Sequence, residues 1–377
     1  MTQSRDTHNV SQHDWQIFKG NSTEPHDDIE ERLPPAPSWR PFGKDITPGV
    51  SRRKRRGKTF QTRPEEVKMI NAALYLRRPL LITGKPGTGK SSIVYAVAEE
   101  LMLGEVLYWP ITTRTTLKNG LYTYDAIGRL QEVKQMEARN AIENTENPQK
   151  VADFITLGPL GTALLSSKRP RVLLIDEIDK SDIDLPNDLL TIFEEGRFEI
   201  PELLRLEKDE RHQSGGSKSI SVKVRTAYTD DEGITKADRK VTIQGGRVTC
   251  NEFHLENLTS NGERDFPPPF LRRCLRLNMY EPDRKQLAAI VRKHFENLQG
   301  DYDVSEEQIN RWINTFLVKR DQGKKEQLAT DQLLNALFMV ARNRENLGDD
   351  MDEFINAFLL APLDRPLSTK PTDHSSK

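Results

Sequence analysis

Residues 84–91 read Gly84-Lys85-Pro86-Gly87-Thr88-Gly89-Lys90-Ser91, with a second hydroxyl at Ser92. Glycines at this spacing let backbone N–H groups turn inward onto an anion, and a helix beginning at the loop's end adds positive potential. Lys90 has the reach for the outer phosphates of a nucleoside triphosphate, and the Ser91 hydroxyl is a hard donor suited to Mg²⁺. Further along, Val172-Leu173-Leu174-Ile175-Asp176-Glu177 is an apolar run ending in two acids. Beside a phosphate cradle, Asp176 can complete the metal shell, and Glu177 can orient and deprotonate an attacking water. A glutamate directly after the metal acid favours hydrolysis over transfer to a metabolite hydroxyl. Asn261, in Thr259-Ser260-Asn261-Gly262, can reach a γ-phosphate or the lytic water; an Asn-Gly turn is the competing reading. In Phe270-Leu271-Arg272-Arg273 the arginines either cap a helix C-terminus or offer a cation to a neighbouring subunit's nucleotide.

These groups need a scaffold. Pro79-Leu80-Leu81-Ile82 predicts a buried strand before the glycine loop. Ile93, Val94, Ala96, Val97 and Leu101 predict a helix after it, stopped at Gly104. Further strands are expected at residues 106–109, 171–175 and 253–258, and helices at 65–76 and 129–146. Leu160 to Leu165 is a short apolar stretch. Strands alternating with helices imply an α/β fold, a doubly wound parallel sheet with its ligand at the carboxyl ends of the strands. Residues 207–247 read as an inserted β-hairpin with mobile flanks: Val222-Lys223-Val224-Arg225 and Lys240-Val241-Thr242-Ile243 alternate around a turn at Asp230-Asp231-Glu232-Gly233. Past Tyr280 the pattern is helical, at 283–297, at 305–320 with Ser305 and Gln308 spaced as a capping box, and at 330–342. The expected organisation is a polar region without fixed structure at 1–50, a basic junction at 51–61, an α/β core at 62–280, a helical domain at 281–363 and a polar tail at 364–377.

Composition narrows the partners. The 377 residues carry a formal net charge of −1, so no global field draws the chain to nucleic acid or membrane. Arg52-Arg53-Lys54-Arg55-Arg56 either grips nucleic acid or an acidic partner, or forms a solvated junction. No apolar run approaches the ~20 residues of a membrane helix, and residues 1–9 are too polar for a secretory leader. Two cysteines, Cys250 and Cys274, are too few for a metal cluster, and reduced, buried thiols in a cytosolic, cytoplasmic chain are expected.

Taken together these residues resemble the AAA+ ATPases, in particular the MoxR-like branch, from about residue 62 to the C-terminal helices. The carriers are a Walker A loop at Gly84–Ser91, a Walker B segment ending Asp176-Glu177, the sensor-1-like Thr259-Ser260-Asn261, and Phe270-Leu271-Arg272-Arg273. Around them, Gly158-Pro159-Leu160, Ile178-Asp179-Lys180, Asn187-Asp188-Leu189-Leu190 and Phe193-Glu194-Glu195-Gly196-Arg197-Phe198 look like MoxR-like segments flanking Walker B. The resemblance implies a P-loop NTPase core with a C-terminal helical lid, ATP and Mg²⁺ as cofactors, and a hexameric ring with nucleotide between subunits. It also implies chaperone-like remodelling of a protein partner, often one with a von Willebrand A domain. By position Arg273 resembles the arginine finger, with Arg272 as second candidate. One departure is a lid position, Ala329-Thr330-Asp331-Gln332, without the sensor-2 arginine. A nucleotide-gated scaffold with little turnover is the alternative. A nucleic-acid motor ranks last, because the net charge is near zero and no nucleic-acid module is present.

Overall fold

The computed structural model describes residues 17–18, 29–34, 36–37, 39, 57, 59–138, 147–214, 219–229, 239–250, 254–296, 304–322, 328–342 and 349–362. The chain divides into two units, Thr47–Glu281 and Met1–Ile46 with Pro282–Lys377. Among the described residues the strands are β1 Leu80–Thr83, β2 Leu107–Pro110, β3 Tyr122–Tyr124, β4 Ile155–Leu157, β5 Val172–Asp176, β6 Arg197–Glu199, β7 Ser221–Arg225, β8 Lys240–Gln244, β9 Arg247–Thr249, β10 Leu255–Ser260 and β11 Leu275–Asn278.

Five of these form a parallel sheet in the order β11-β1-β10-β5-β2. Side chains alternate between its faces, as strand geometry requires. Leu80, Ile82, Val172, Leu174 and Leu255 join one apolar cluster with Ile70 and Ala73 of the helix Pro64–Leu76 and Ile93 and Val94 of the helix Lys90–Glu100. Leu81, Leu173, Ile175 and Leu258 point the other way, into a second cluster with Leu160, Leu185, Leu189 and Phe270. Both faces are covered, which explains near-continuous apolar strands instead of alternating ones. The helix expected at 129–146 is described as Ala126–Ala138; its remainder lies outside the described residues. The apolar stretch at 160–165 is a short helix, Pro159–Ala163.

The hairpin at 207–247 is not an isolated insertion. β7 and β8 pair antiparallel from Ser221↔Gln244 to Arg225↔Lys240, inside a six-stranded sheet ordered β3-β4-β7-β8-β9-β6. Its alternate residues Val222, Val224 and Ile243 reach the main core. Residues 207–214, read as a mobile flank, belong to the helix Pro201–Ser214, where buried Leu203 and Glu207 face the sheet. The expected turn at 230–233 lies outside the described residues, as does the basic run 52–56.

In the other unit, helices Arg284–Glu296, Glu306–Gln322 and Thr330–Arg342 enclose Leu287, Val291, Trp312, Ile313, Phe316, Leu333 and Leu337. The capping box forms: Ser305 N donates to Gln308 Oε1 and Gln308 N to Ser305 Oγ, each at 3.2 Å. Residues 1–50, expected to lack fixed structure, contribute a packed tryptophan. Trp39 Nε1 donates to Asn335 Oδ1 at 2.9 Å, and its ring meets His294 and Phe338 edge-on at 5.6 and 5.8 Å. A large ring with one donor gains both burial and a partner there, and this overrides a polar, proline-bearing neighbourhood.

Candidate functional site

The carboxyl ends of β1, β5 and β10 lie side by side, because Leu81, Ile175 and Leu258 occupy adjacent registers of parallel strands. The glycine loop leaves β1 there. Gly84 has φ +151°, and a Cβ on it would come within 2.5 Å of Met279 O. Gly89 has φ +93°, and a Cβ there would strike the Phe60 ring at 2.6 Å. Only glycine fits either place. Lys85, Pro86, Gly87 and Thr88 complete the turn, with Thr88 Oγ1 donating to Lys85 O at 2.9 Å. The helix Lys90–Glu100 then begins, carrying Lys90, Ser91 and Ser92 in its first turn.

Lys90 Nζ donates to Gly84 O at 2.7 Å and Lys85 O at 2.9 Å. Burial pushes its pKa down from the ordinary lysine value, while Asp179, Asp176 and Glu177 pull it back up. A desolvated ammonium at a helix N-terminus favours an anion, and the three acids beside it oppose one until a cation neutralises them.

Asp176 joins the strands. Its Oδ1 accepts from Ser91 Oγ at 2.8 Å and from Thr259 Oγ1 at 2.5 Å, and its Oδ2 from Tyr108 OH at 3.3 Å. The Ser91 hydroxyl and the Asp176 carboxylate are adjacent hard oxygen donors. That set suits Mg²⁺, which takes one or two protein oxygens and completes its shell with phosphate and water.

Glu177 follows with a left-handed backbone, φ 61° and ψ 49°, rare for a side-chain-bearing residue. Thr259 holds it there: the Glu177 N–H donates to Thr259 Oγ1 at 2.9 Å. Its carboxylate is gripped at both oxygens, Oε1 by Asn261 Nδ2 at 3.3 Å and Oε2 by Lys180 Nζ at 2.7 Å. Asp179 anchors the loop bearing Asn261: its Oδ2 accepts the N–H groups of Asn261 at 2.9 Å and Glu263 at 3.1 Å.

Ser91, Asp176, Glu177 and Asn261 are thus brought together with Lys90. Arg272 and Arg273 are not. They end the helix Pro268–Arg273 just before β11, whose Leu275 pairs with Leu80 at the opposite end of β1. The rise of β1 alone puts about 10 Å between that level and the glycine loop. Arg78 caps this helix by donating to the carbonyls of Arg272 and, at 3.0 Å, Arg273. Arg273 pairs with Glu194 on the helix Leu185–Glu195. Arg272 is exposed. The Gln332 position holds helix ends: its Nε2 donates to Leu359 O at 3.1 Å and Ala361 O at 2.8 Å.

Thr259, Asp179, Lys180 and Tyr108 were not singled out for roles from the sequence. The signal for Asp179 and Lys180 was their place directly after the two acids. The strand is expected to stop at 258, yet β10 runs on through Ser260 and buries Thr259 and Ser260.

Residues 79–241 match the AAA domain of the dynein-related subfamily. The parallel α/β core is the fold of that domain. No curated protein matches the chain. A crystal structure of the FIGL-1 AAA domain in complex with ADP aligns with 73% of this chain at 15% identity and a TM-score of 0.32. The alignment spans 64% of that chain, less than two thirds of its length.

Proposed function

We propose that the chain is a Mg²⁺-dependent ATPase of the ring-forming, MoxR-like kind, whose turnover remodels a protein partner. The observation that carries the reading is the connected set Ser91–Asp176–Thr259–Glu177–Asn261 at the carboxyl edge of the sheet. In this reading the loop from Gly84 to Ser92 cradles ATP phosphates, and Lys90 draws charge from the outer ones. Ser91 and Asp176 hold Mg²⁺, which supplies charge neutralisation at the phosphates. Glu177 accepts a proton from water, and Asn261 positions that water or the phosphate it attacks. Arg272 and Arg273, at the far level of the sheet, serve the nucleotide of a neighbouring subunit, which supports a homo-oligomeric ring. A hexamer, a partner carrying a von Willebrand A domain and a cytoplasmic location follow the family resemblance.

The scaffold reading has one observation in its favour: both Glu177 oxygens are engaged by side chains of the same chain. A carboxylate held this way is a poor base until released, so turnover should be low in isolated copies. Steady-state ATPase measured against protein concentration separates the two. A rate per subunit that climbs with assembly supports the enzyme; a flat, near-zero rate supports the scaffold. Glu177→Gln should retain ATP binding and lose turnover by about 10²-fold or more. Wild-type turnover in that variant would remove Glu177 from its role.

A further inference from the structure

The approach to β10 carries a relay that the nucleotide site does not use. Cys250 follows β9, with its N–H donating to Gly196 O at 2.7 Å. His254 and Glu256, two residues apart, share one face of the extended chain. His254 Nε2 lies 2.7 Å from Glu256 Oε1, and His254 Nδ1 lies 3.7 Å from Cys250 Sγ. The His254 and Glu256 side chains are 6% and 4% exposed, while Cys250 is half-buried and within reach of a small reagent. The expectation of two buried thiols therefore holds for Cys274 and not for Cys250.

Burial disfavours a charged His254 ring, but the Glu256 carboxylate and the Cys250 contact outweigh it and push its pKa up to about 10. The ring places Nε2 against the carboxylate and Nδ1 against the sulfur. An imidazolium beside a thiol stabilises the thiolate, the species that reacts. Among the described residues, Glu256 also acts on Cys274, which Arg78 acts on in turn. Cys274 is the internal contrast: burial first, and Glu256 second, push its thiol up to about 12.

We propose that Cys250 is a nucleophilic thiolate, built by His254 and Glu256, and a modification site for small soft electrophiles. In such a step the sulfur lone pair forms an S–C bond as the bond to the leaving group breaks and that group departs with its electron pair. His254 keeps its proton throughout and needs no turnover.

The test uses the full chain and iodoacetamide, with each thiol followed by peptide mass spectrometry from pH 5.5 to 9.5. Cys250 should be alkylated at pH 7 about two- to fourfold faster than the same residue in urea-unfolded chain. Cys274 should stay protected. Glu256→Gln and His254→Gln should each slow Cys250 at pH 7, in samples whose circular dichroism matches wild type. If neither variant folds, the wild-type profile decides alone. A folded Cys250 that reacts no faster than unfolded chain overturns the proposal.

Discussion

Replacing Thr259 with valine tests the reasoning about the site most directly, because one hydroxyl performs two tasks. The residue is 1% exposed. Its oxygen donates to Asp176 Oδ1 at 2.5 Å and accepts from the Glu177 N–H at 2.9 Å. Valine keeps the shape and removes both bonds. Losing a bond to a carboxylate is worth about 1.5–3 kcal/mol, and stranding a backbone N–H about 1–3 kcal/mol. The left-handed Glu177 backbone, itself costing about 1–3 kcal/mol, also loses the contact that fixes it. These effects overlap, so a net loss of about 3 kcal/mol in unfolding free energy is expected. Thr259→Ser keeps the hydroxyl and loses a methyl, which costs about 1 kcal/mol. Urea unfolding reads the stability; nucleotide affinity and turnover read the site. Affinity should hold within a fewfold in Thr259→Val, because the loop and Lys90 are untouched, while turnover falls by about tenfold or more as Glu177 and Asp176 lose their alignment. A Thr259→Val protein within 0.5 kcal/mol of wild type at ~1 M urea steps and turning over normally would refute the argument.

Other perturbations follow from the same geometry. Lys180→Met frees Glu177 Oε2 from an exposed pair, so stability should change by less than about 1 kcal/mol while basal turnover rises severalfold; an unchanged rate would show that the pair does not restrain the base. Trp39→Ala should cost the helical unit about 2–3 kcal/mol and Trp39→Phe about 1 kcal/mol, read by thermal unfolding. Burial lowers the pKa of His294 to about 4, so the unfolded chain binds the extra proton between pH 4 and pH 6.5. Stability of that unit should therefore fall as pH drops through this window, by about 3 kcal/mol at most, and a histidine NMR titration should show His294 neutral at pH 5. In the same experiment His254 should remain charged to about pH 9, since its pKa lies near 10.

The chemistry-bearing loop and acids were legible because each sits in a local pattern: glycines where a side chain would strike Met279 O or Phe60, and acids capping an apolar strand. The parallel sheet was legible for the same reason, since strands buried on both faces are nearly all apolar. What escaped was set by pairing across long sequence separations. The strand expected at 253–258 runs on through Thr259 and Ser260 because their backbones pair with Ile82 and Thr83 of β1. β7 and β8 alternate like any hairpin, and only their partners β4 and β9 make them part of a larger sheet. Trp39 sits in a proline-bearing stretch that predicts nothing, and its place comes from a pocket of His294, Phe295 and Phe338. The level of Arg272 and Arg273 could not be read without knowing that β11 runs beside β1.

In the proposed reading, that level gives each copy of the chain two unlike ends, a phosphate-holding end and an arginine-bearing end about 10 Å apart along β1. Copies joined end to unlike end would share a single orientation, and such a contact closes into a ring where its rotation allows and runs on as a filament where it does not. It also lets one damaged copy repair another. Lys90→Ala chains keep their arginines, and Arg272→Ala/Arg273→Ala chains keep their lysine. In the proposed ring each would be inert alone, but alternating them would restore a complete joint wherever an intact Lys90 meets an intact arginine pair. Activity regained on mixing two dead proteins would then count the joints, and its ceiling would be half of the joints in the ring.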